Sequence, residues 1–218
     1  MTQKTMDRLI DAILPNVMFD GWSKTSFDMA VQDAGVDPVV AKGLCPNGAI
    51  DLAAAFHRRG DVMMRRDFAQ ADTDDLKIRE KVRLAVQLRL ENISDKDAVR
   101  RAMSVFALPQ NAMLGSRLLW GTADAIWDCL GDTSSDGNWY TKRAMLSGVY
   151  GSTVLFWLGD TSANHEDTWS FLDRRIENVM QVEKAKRSKP FDRLAGLLGS
   201  IKAPNPNSRP NMPGRWGS

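Results

Sequence analysis

Apolar residues recur along most of the chain at intervals of three and four positions, which is the spacing of one face of an α-helix. Strand-like alternation is nearly absent. In the first segment this face consists of Met6, Leu9, Ile10, Ile13 and Val17. Together with turn and capping signals, the pattern predicts helices over about residues 2–19, 24–34, 38–43, 49–69, from 73, from 94, 109–130, 138–158, 163–186 and 190–202.

Two of these helix starts carry specific capping signals. Asp37 stands directly before Pro38, and Thr73 stands before Asp74 and Asp75. Side-chain oxygens at such positions accept the free N–H groups of the first turn, and proline suits the first helical position. We therefore expect Asp37 to cap the third helix and Thr73 the fifth.

The helix lengths predict an all-α chain with four segments. The three short helices of residues 1–48, with Ala34-Gly35-Val36 at the turn, resemble the helix-turn-helix that begins a TetR-type repressor, here in a degenerate form. The longer helices of residues 49–187 predict a bundle, and residues 188–202 predict an amphipathic terminal helix. Residues 203–218 contain four prolines without periodicity, which is typical of a disordered tail.

Charge in the N-terminal segment argues against DNA binding. Residues 1–60 hold six basic groups and seven aspartates, although a DNA reader needs basic side chains around its recognition helix. The third helix offers only Lys42, while Asp37 would repel phosphate at its start. We expect no nucleic-acid partner. A TetR-type, ligand-responsive transcriptional regulator remains the alternative function.

Groups that could support catalysis are few in this sequence of 218 residues. It has two cysteines, Cys45 and Cys129, two histidines, His57 and His165, and five glutamates. No histidine follows a glutamate at the three-residue spacing of helical di-iron sites, and no Gly-rich phosphate loop is present. The sequence therefore predicts a protein that is not an enzyme and holds no metal or cofactor.

The C-terminal part of the chain is basic although the remainder is acidic. Residues 184–218 carry eight basic groups and one acidic group, whereas residues 1–183 carry 21 and 26. Within this part, residues 190–202 place their apolar side chains on one arc of about 160°. Such a helix can lie on a membrane surface or pack on its own domain. The cations beside it favour the membrane, with contacts from Phe191, Leu194, Leu197, Leu198, Ile201, Lys189 and Arg193.

The seventh and eighth helices are rich in large apolar side chains. One broad face of the eighth consists of Trp139, Leu146, Tyr150, Val154 and Trp157. Such helices can line a cavity for a hydrophobic ligand, or can form a filled core or a dimer seam. For the first case the predicted lipid-binding residues are Met113, Leu118, Trp120, Ile126, Met145, Val149, Val154, Phe156 and Trp157.

Three motifs then carry a family resemblance. They are Asp-Gly-Asn-Trp-Tyr-Thr-Lys-Arg at 136–143, Asp-Thr-Ser at 160–162, and Glu-Asp-Thr-Trp-Ser-Phe-Leu at 166–172 followed by Arg175. The chain resembles the family of the ninth protein in coenzyme Q (ubiquinone) biosynthesis, and the resemblance covers about residues 5–202. The resemblance implies a TetR-type fold without DNA binding, and a homodimer that binds an isoprenoid quinone or phospholipid ligand. It also implies a membrane surface and the demethoxyubiquinone hydroxylase as partners.

The same resemblance implies a docking surface and a location. By position, Trp139 and Tyr140 match an aromatic patch for the hydroxylase, with Asp136 and Asn138 beside them. Because the chain starts almost directly at its first helix, the expected location is the cytoplasm of a bacterium, peripheral on the inner membrane. The expected function is a non-enzymatic protein that presents a polyprenylated intermediate from the membrane to the hydroxylase.

Overall fold

A computed structural model describes residues 2–93, 95–133 and 137–186, apart from the side chains of residues 138 and 182–186. These residues contain no strand, which confirms the all-α class. A single 3-10 turn, Ala163–His165, precedes the last helix. The helices are α1 (Thr2–Asp20), α2 (Lys24–Asp33), α3 (Pro38–Leu44), α4 (Ala49–Phe68), α5 (Ile78–Glu91), α6 (Lys96–Phe106), α7 (Ala112–Cys129), α8 (Gly137–Gly159) and α9 (Glu166–Lys186).

The described residues divide into two compact units. The first unit comprises residues 2–62 and 92–118, and the second comprises residues 63–91 and 119–186. Helices α4 and α7 therefore each contribute to both units. The boundaries at 48, 187 and 202 remain sequence predictions.

The core of the first unit forms where α1 packs on α2 and α6. The predicted face of α1 is confirmed, because Leu9, Ile10, Ile13 and Val17 are fully buried and the fifth member, Met6, is partly buried against the same core. Each fully buried side chain contributes about 1.5–3 kcal/mol to stability on burial. Trp22 joins this core and satisfies its indole by donating from Nε1 to the Ala98 carbonyl oxygen at 3.0 Å.

In the second unit, α9 packs against α8 and α5. The predicted apolar face of α8 is confirmed, since all five of its members lie at or below 5% exposure. Buried side chains of α5 and α9 complete this core. They are Val82, Ala85, Val86, Leu90, Trp169, Leu172 and Ile176.

Two predicted helix starts are wrong by several residues. Thr73 does not cap α5, because residues 73–76 close a separate turn and the Lys77 N–H donates to Glu80 Oε2 at 2.7 Å. Glu80 thus caps the start of the helix from within its first turn. Likewise α7 starts at Ala112 rather than near residue 109, because the Asn111 N–H closes a turn onto the Leu108 carbonyl. The Asp37 cap is confirmed: its Oδ1 accepts from Val39 N and Val40 N.

Candidate functional site

The second half of α7 and the start of α8 carry a cluster of three aromatic rings, which we call the aromatic cluster: Trp120, Trp139 and Tyr140. The ring centroids of Trp139 and Tyr140 are 4.8 Å apart, edge to face. Trp120 lies 5.9 Å from Trp139 and 6.3 Å from Tyr140. Trp139 is only 2% exposed, whereas Trp120 and Tyr140 are half-buried. Tyr140 and Trp120 therefore form the accessible part of the cluster, and Trp139 lies beneath them.

A buried arginine lies against this cluster. Arg143 is 1% exposed, and its guanidinium carbon lies 4.1 Å from the centroid of the Trp139 ring. Arg143 Nε donates to Asp124 Oδ1 at 2.5 Å, and Nη1 donates to Asp132 Oδ2 at 3.1 Å. A third carboxylate, that of Asp128, is 3.8 Å from Nη2. We call these four residues the Arg143 network.

Helix geometry explains why these groups meet. Asp124 and Asp128 lie four residues apart on α7, and so do Trp139 and Arg143 on α8, so each pair occupies one helix face. After Cys129 the chain turns at Gly131, whose φ of +71° favours glycine. This turn returns Asp132 to the helix, where its N–H donates to the Trp127 carbonyl oxygen at 3.0 Å.

Lys142 makes a second link between α8 and the same connection. Its Nζ donates to Asp132 Oδ1 at 2.7 Å and lies 5.1 Å from the centroid of the Trp127 ring. Asp132, 7% exposed in its side chain, therefore receives hydrogen bonds from both Lys142 and Arg143. Sequence reasoning quoted Lys142 and Arg143 only as part of a motif and missed all three aspartates. The available signal was an acidic residue every fourth position, 124, 128 and 132, at the end of an apolar helix.

Two of the nine predicted lipid-binding residues are exposed to solvent rather than buried. Met113 is 67% exposed, and Phe156 is 37% exposed. Phe156 stacks on Phe171 of α9 at 4.6 Å, and Arg175 covers that second ring at 5.1 Å. Trp120 and Met145 are half-buried. The remaining five are buried, namely Leu118, Ile126, Val149, Val154 and Trp157.

The nine residues are also divided between the units. Met113 and Leu118 belong to the first unit, and the other seven belong to the second. Two indoles of α7 stand out in the second unit, because Nε1 of Trp120 and Nε1 of Trp127 are buried with no hydrogen-bond partner among the described residues. Buried donors are normally paired, so each of these N–H groups can donate to the carbonyl oxygen of a ligand or to a water molecule.

The first unit contains a groove of about 760 Å³ that none of the nine predicted residues lines. The residues that line it include Trp22, Phe27, Val31, Pro38 and Ile50. Beside it, α3 presents two apolar side chains to solvent: Val39 is 80% exposed and Val40 is 50% exposed. In a DNA-binding helix-turn-helix, these positions belong to the helix that contacts base edges.

The connection between α8 and α9 is organised by one carboxylate. Asp160 accepts hydrogen bonds from Ser162 N at 2.7 Å, from Thr168 N at 3.0 Å, and from the Thr168 hydroxyl. Burial by itself would raise the pKa of Asp160, but the hydrogen bonds from Thr168 and Ser162 outweigh it and hold that pKa well below its usual range. The following turn carries Asn164 and His165 at φ of 51° and 58°. Asp160 therefore caps α9 and stabilises a strained turn.

The cysteines show no sign of nucleophilic activation. Burial, with a smaller contribution from Asp51, raises the pKa of the Cys45 thiol to about 11. Burial likewise raises the pKa of Cys129. Reactive cysteines have the opposite shift. Within the described part of the chain, no group of three His, Cys, Asp or Glu side chains is arranged to hold a metal ion.

Several predicted site residues lie outside the described residues. For the docking surface these are Asp136 and the side chain of Asn138. All seven predicted membrane contacts also lie there. They are Lys189, Phe191, Arg193, Leu194, Leu197, Leu198 and Ile201. Among the helices that the structure does describe, none combines the length and the apolar character needed to cross a bilayer.

Known proteins match this chain in sequence and in fold. The COQ9 family model matches residues 112–183, which include the aromatic cluster and the Arg143 network. A probable ubiquinone biosynthesis protein coq9, mitochondrial, of Dictyostelium discoideum is 31% identical over 82% of this chain and 61% of its own length. The mitochondrial ubiquinone biosynthesis protein COQ9 of Rattus norvegicus is 30% identical over 91% of this chain and 67% of its own. The chain thus spans about two thirds of the relatives it matches.

A solved structure confirms the predicted fold. The crystal structure of the TetR transcriptional regulator from Nitrosomonas europaea superposes with a TM-score of 0.65, covering 82% of this chain and 99% of the regulator. At 16% identity this similarity shows the fold alone.

The expected location needs correction. Matching relatives are named as mitochondrial proteins of eukaryotes. They come from Dictyostelium discoideum, Rattus norvegicus, Homo sapiens and Drosophila melanogaster. This finding contradicts a location at the inner membrane of a bacterium.

Proposed function

The chain belongs to the COQ9 family, and we propose that it is a non-enzymatic accessory protein of ubiquinone biosynthesis. In this role it takes an isoprenoid quinone intermediate or a phospholipid from a membrane surface and presents the quinone to the demethoxyubiquinone hydroxylase. The observation that carries the proposal is the aromatic cluster fixed by the Arg143 network, within the segment that matches the family model.

Lipid binding is supported by the second unit. Its long helices supply an apolar interior in Ile126, Val149 and Val154, suited to an isoprenoid chain. The indole N–H groups of Trp120 and Trp127, which have no hydrogen-bond partner within the described ranges, suit the carbonyl oxygens of a quinone head group. Apolar surroundings with a few placed donors are typical of ligand sites.

Docking to the hydroxylase is proposed for the accessible part of the aromatic cluster. Because Trp139 is buried, the ring that can contact a partner directly is Tyr140, with Trp120 beside it. Tyrosine and tryptophan contribute strongly to binding when they are held rigidly in an interface. Trp139 then acts from below, as the support on which Tyr140 packs.

The proposed homodimer is supported by an open face of α8. Ala144 and Leu155 are exposed there, and a Cβ atom built at Gly148 would meet nothing within 4 Å. Small and apolar side chains on one helix face allow a second helix to approach closely. Membrane attachment through residues 190–202 remains a prediction from sequence.

A DNA-binding regulator is less well supported. At the start of α3, the N–H groups of Val39 and Val40 already donate to Asp37, so they do not offer a phosphate site. Lys42 donates to the Pro46 carbonyl oxygen at 2.6 Å. The large apolar side chains that α3 exposes are Val39 and Val40, which form no hydrogen bonds with base edges.

Lipid binding is tested by mass spectrometry of organic extracts from the purified protein. The full chain and a chain ending at Lys189 are compared. We expect an isoprenoid quinone or phospholipid with the full chain, and less with the shortened chain if the terminal helix admits the ligand. Absence of isoprenoid and phospholipid from both preparations would refute lipid binding.

Docking is tested by co-purification with the hydroxylase. Tyr140→Lys should abolish complex formation, because it places a hydrated charge in an aromatic interface. Val39→Lys introduces the same charge at an 80% exposed apolar position of the first unit and is the matched control. Equal binding by both variants and the unmodified protein would contradict the proposed surface.

A further inference from the structure

The start of the connection after α7, at Gly131 and Asp132, is held by backbone hydrogen bonds and by charges. The Gly131 N–H donates to the Asp128 carbonyl at 3.1 Å, and the Asp132 N–H donates to that of Trp127 at 3.0 Å. The Asp132 carboxylate then receives Lys142 and Arg143 from α8. Both ends of this connection are therefore tied to each other through one buried carboxylate.

Arg143 transmits this constraint to the aromatic cluster. Besides its carboxylate partners, it donates from Nη1 to the Trp139 carbonyl oxygen at 3.4 Å and covers one face of the Trp139 ring. The Trp139 ring in turn contacts Tyr140 at 4.8 Å. The contacts form an unbroken chain from Asp132 through Arg143 and Trp139 to the ring of Tyr140.

Stability alone gives a weak reason for such a network. Removing an arginine and two carboxylates from water carries a large free-energy cost, and apolar residues of similar volume often stabilise a core equally well. The charged groups contribute a defined geometry instead, because a guanidinium donates its hydrogen bonds in a rigid planar fork. The network therefore fixes the orientation of the Trp139 and Tyr140 rings, whereas apolar side chains in its place would allow these rings more orientations.

We propose that Arg143, held by Asp124 and Asp132, is a positioning residue of the docking surface, which orients Trp139 and through it the Tyr140 ring for the partner protein. This inference rests on the proposed function, because it deepens the assignment of Tyr140 as a contact residue. It assigns Asp132 a role in partner binding although its side chain is only 7% exposed.

A change in the packing of the Tyr140 ring can be followed separately from other changes, because the chain contains only two tyrosines, Tyr140 and Tyr150. Incorporation of 3-fluorotyrosine gives two ¹⁹F resonances, and Tyr150→Phe identifies them. Asp132→Asn weakens both links to the connection while leaving the pair of Arg143 and Asp124. We expect the Tyr140 resonance to shift or broaden and that of the buried Tyr150 to stay in place. An unchanged Tyr140 resonance, or equal movement of both, would overturn the proposal.

Binding of the purified hydroxylase provides the second readout. Asp132→Asn is expected to weaken affinity about tenfold or more, while Asp132→Glu, which keeps the carboxylate, retains most of it. Asp173→Asn is the matched control, since its partner Arg83 lies in the same unit and the pair is exposed. Far-ultraviolet circular dichroism and the urea midpoint check that each variant is folded.

The outcomes separate this inference from the proposed function. Loss of binding in Tyr140→Lys but not in Asp132→Asn overturns the positioning role alone. Unchanged binding in Tyr140→Lys overturns the docking surface itself. Loss in both, with Asp132→Glu and Asp173→Asn retaining affinity, supports both.

Discussion

The start of α3 in the first unit and the start of α8 in the second unit use charge in different ways. At α3, Asp37 is exposed and caps its own helix, and nearby pairs such as Lys24 with Asp28 lie in solvent. At α8, Arg143 is buried among carboxylates from another helix and its connection. Exposed charges of the first kind contribute little and locally, whereas a buried network links distant segments. In the α8 region, a substitution of one buried charged residue is therefore expected to alter the exposed surface at Tyr140.

The largest expected effect is at Arg143. Arg143→Met leaves Asp124 and Asp132 buried without their guanidinium, so we expect a loss of about 3–5 kcal/mol in the free energy of unfolding. Urea denaturation followed by circular dichroism measures it. Arg83→Met, which breaks an exposed pair with Asp173 in the same unit, should cost at most about 1 kcal/mol. Similar losses in both variants would remove the contrast between buried and exposed charge.

Close packing in the first unit is tested at Gly115. A Cβ atom there would lie 2.9 Å from the Cβ of Phe106, which belongs to the backbone-bound part of the side chain and cannot rotate away. Gly115→Ala should therefore destabilise the protein by about 1–3 kcal/mol. Thermal unfolding of the variant provides the measurement, and an unchanged midpoint would show that α6 and α7 separate easily at this point.

Acid sensitivity should come from the second unit, at Asp160. Its pKa is lowered in the folded protein, so the unfolded chain binds the proton more readily. The stabilisation is present above the unfolded value of about 4 and is lost as pH falls below it toward the folded pKa. The Asp160→Asn variant should be less stable than the unmodified protein at pH 7. Between pH 4 and pH 2 its free energy of unfolding should fall by less than that of the unmodified protein. Parallel stability curves for the variant and the unmodified protein would contradict this assignment.

The cap of α3 should have a smaller effect. Asp37→Ala removes the acceptor of two backbone N–H groups and should cost about 1 kcal/mol. Asp37→Asn keeps an oxygen acceptor and is the control. We expect it to lose only a few tenths of the roughly 1 kcal/mol that Asp37→Ala loses in the free energy of unfolding. Chemical denaturation of the two variants compares them, and equal losses would mean that charge rather than the hydrogen bonds stabilises the helix.

The smallest effect has the opposite sign. Gly148→Ala adds a methyl group where nothing lies within 4 Å and removes the conformational freedom of glycine in a helix interior. We expect a gain of about 0.5–1 kcal/mol in a protein held as a monomer. Analytical ultracentrifugation of the same variant tests whether this face is the dimer contact, since the added methyl group should then weaken self-association.

Sequence and structure agree best where one helix face decides the outcome. The periodicity of α8 predicts the burial of Trp139, which the structure confirms. The family resemblance instead suggested a direct surface contact for the same residue. The two views differ because an aromatic residue at a helix start packs inward or outward according to its tertiary neighbours. For Trp139 these include Trp120 of α7, whose ring lies 5.9 Å away.

The sequence by itself determined the helical class, the buried faces of α1 and α8, and the Asp37 cap, because each depends on residues within a few positions of one another. It did not determine that Asp124, Asp132 and Arg143 would meet, or that Glu80 rather than Thr73 would cap α5. Those outcomes depend on how the chain turns after α7 and on competition between nearby backbone donors. Contacts between separate segments are selected by packing in three dimensions, and the periodicity along a single helix does not predict them.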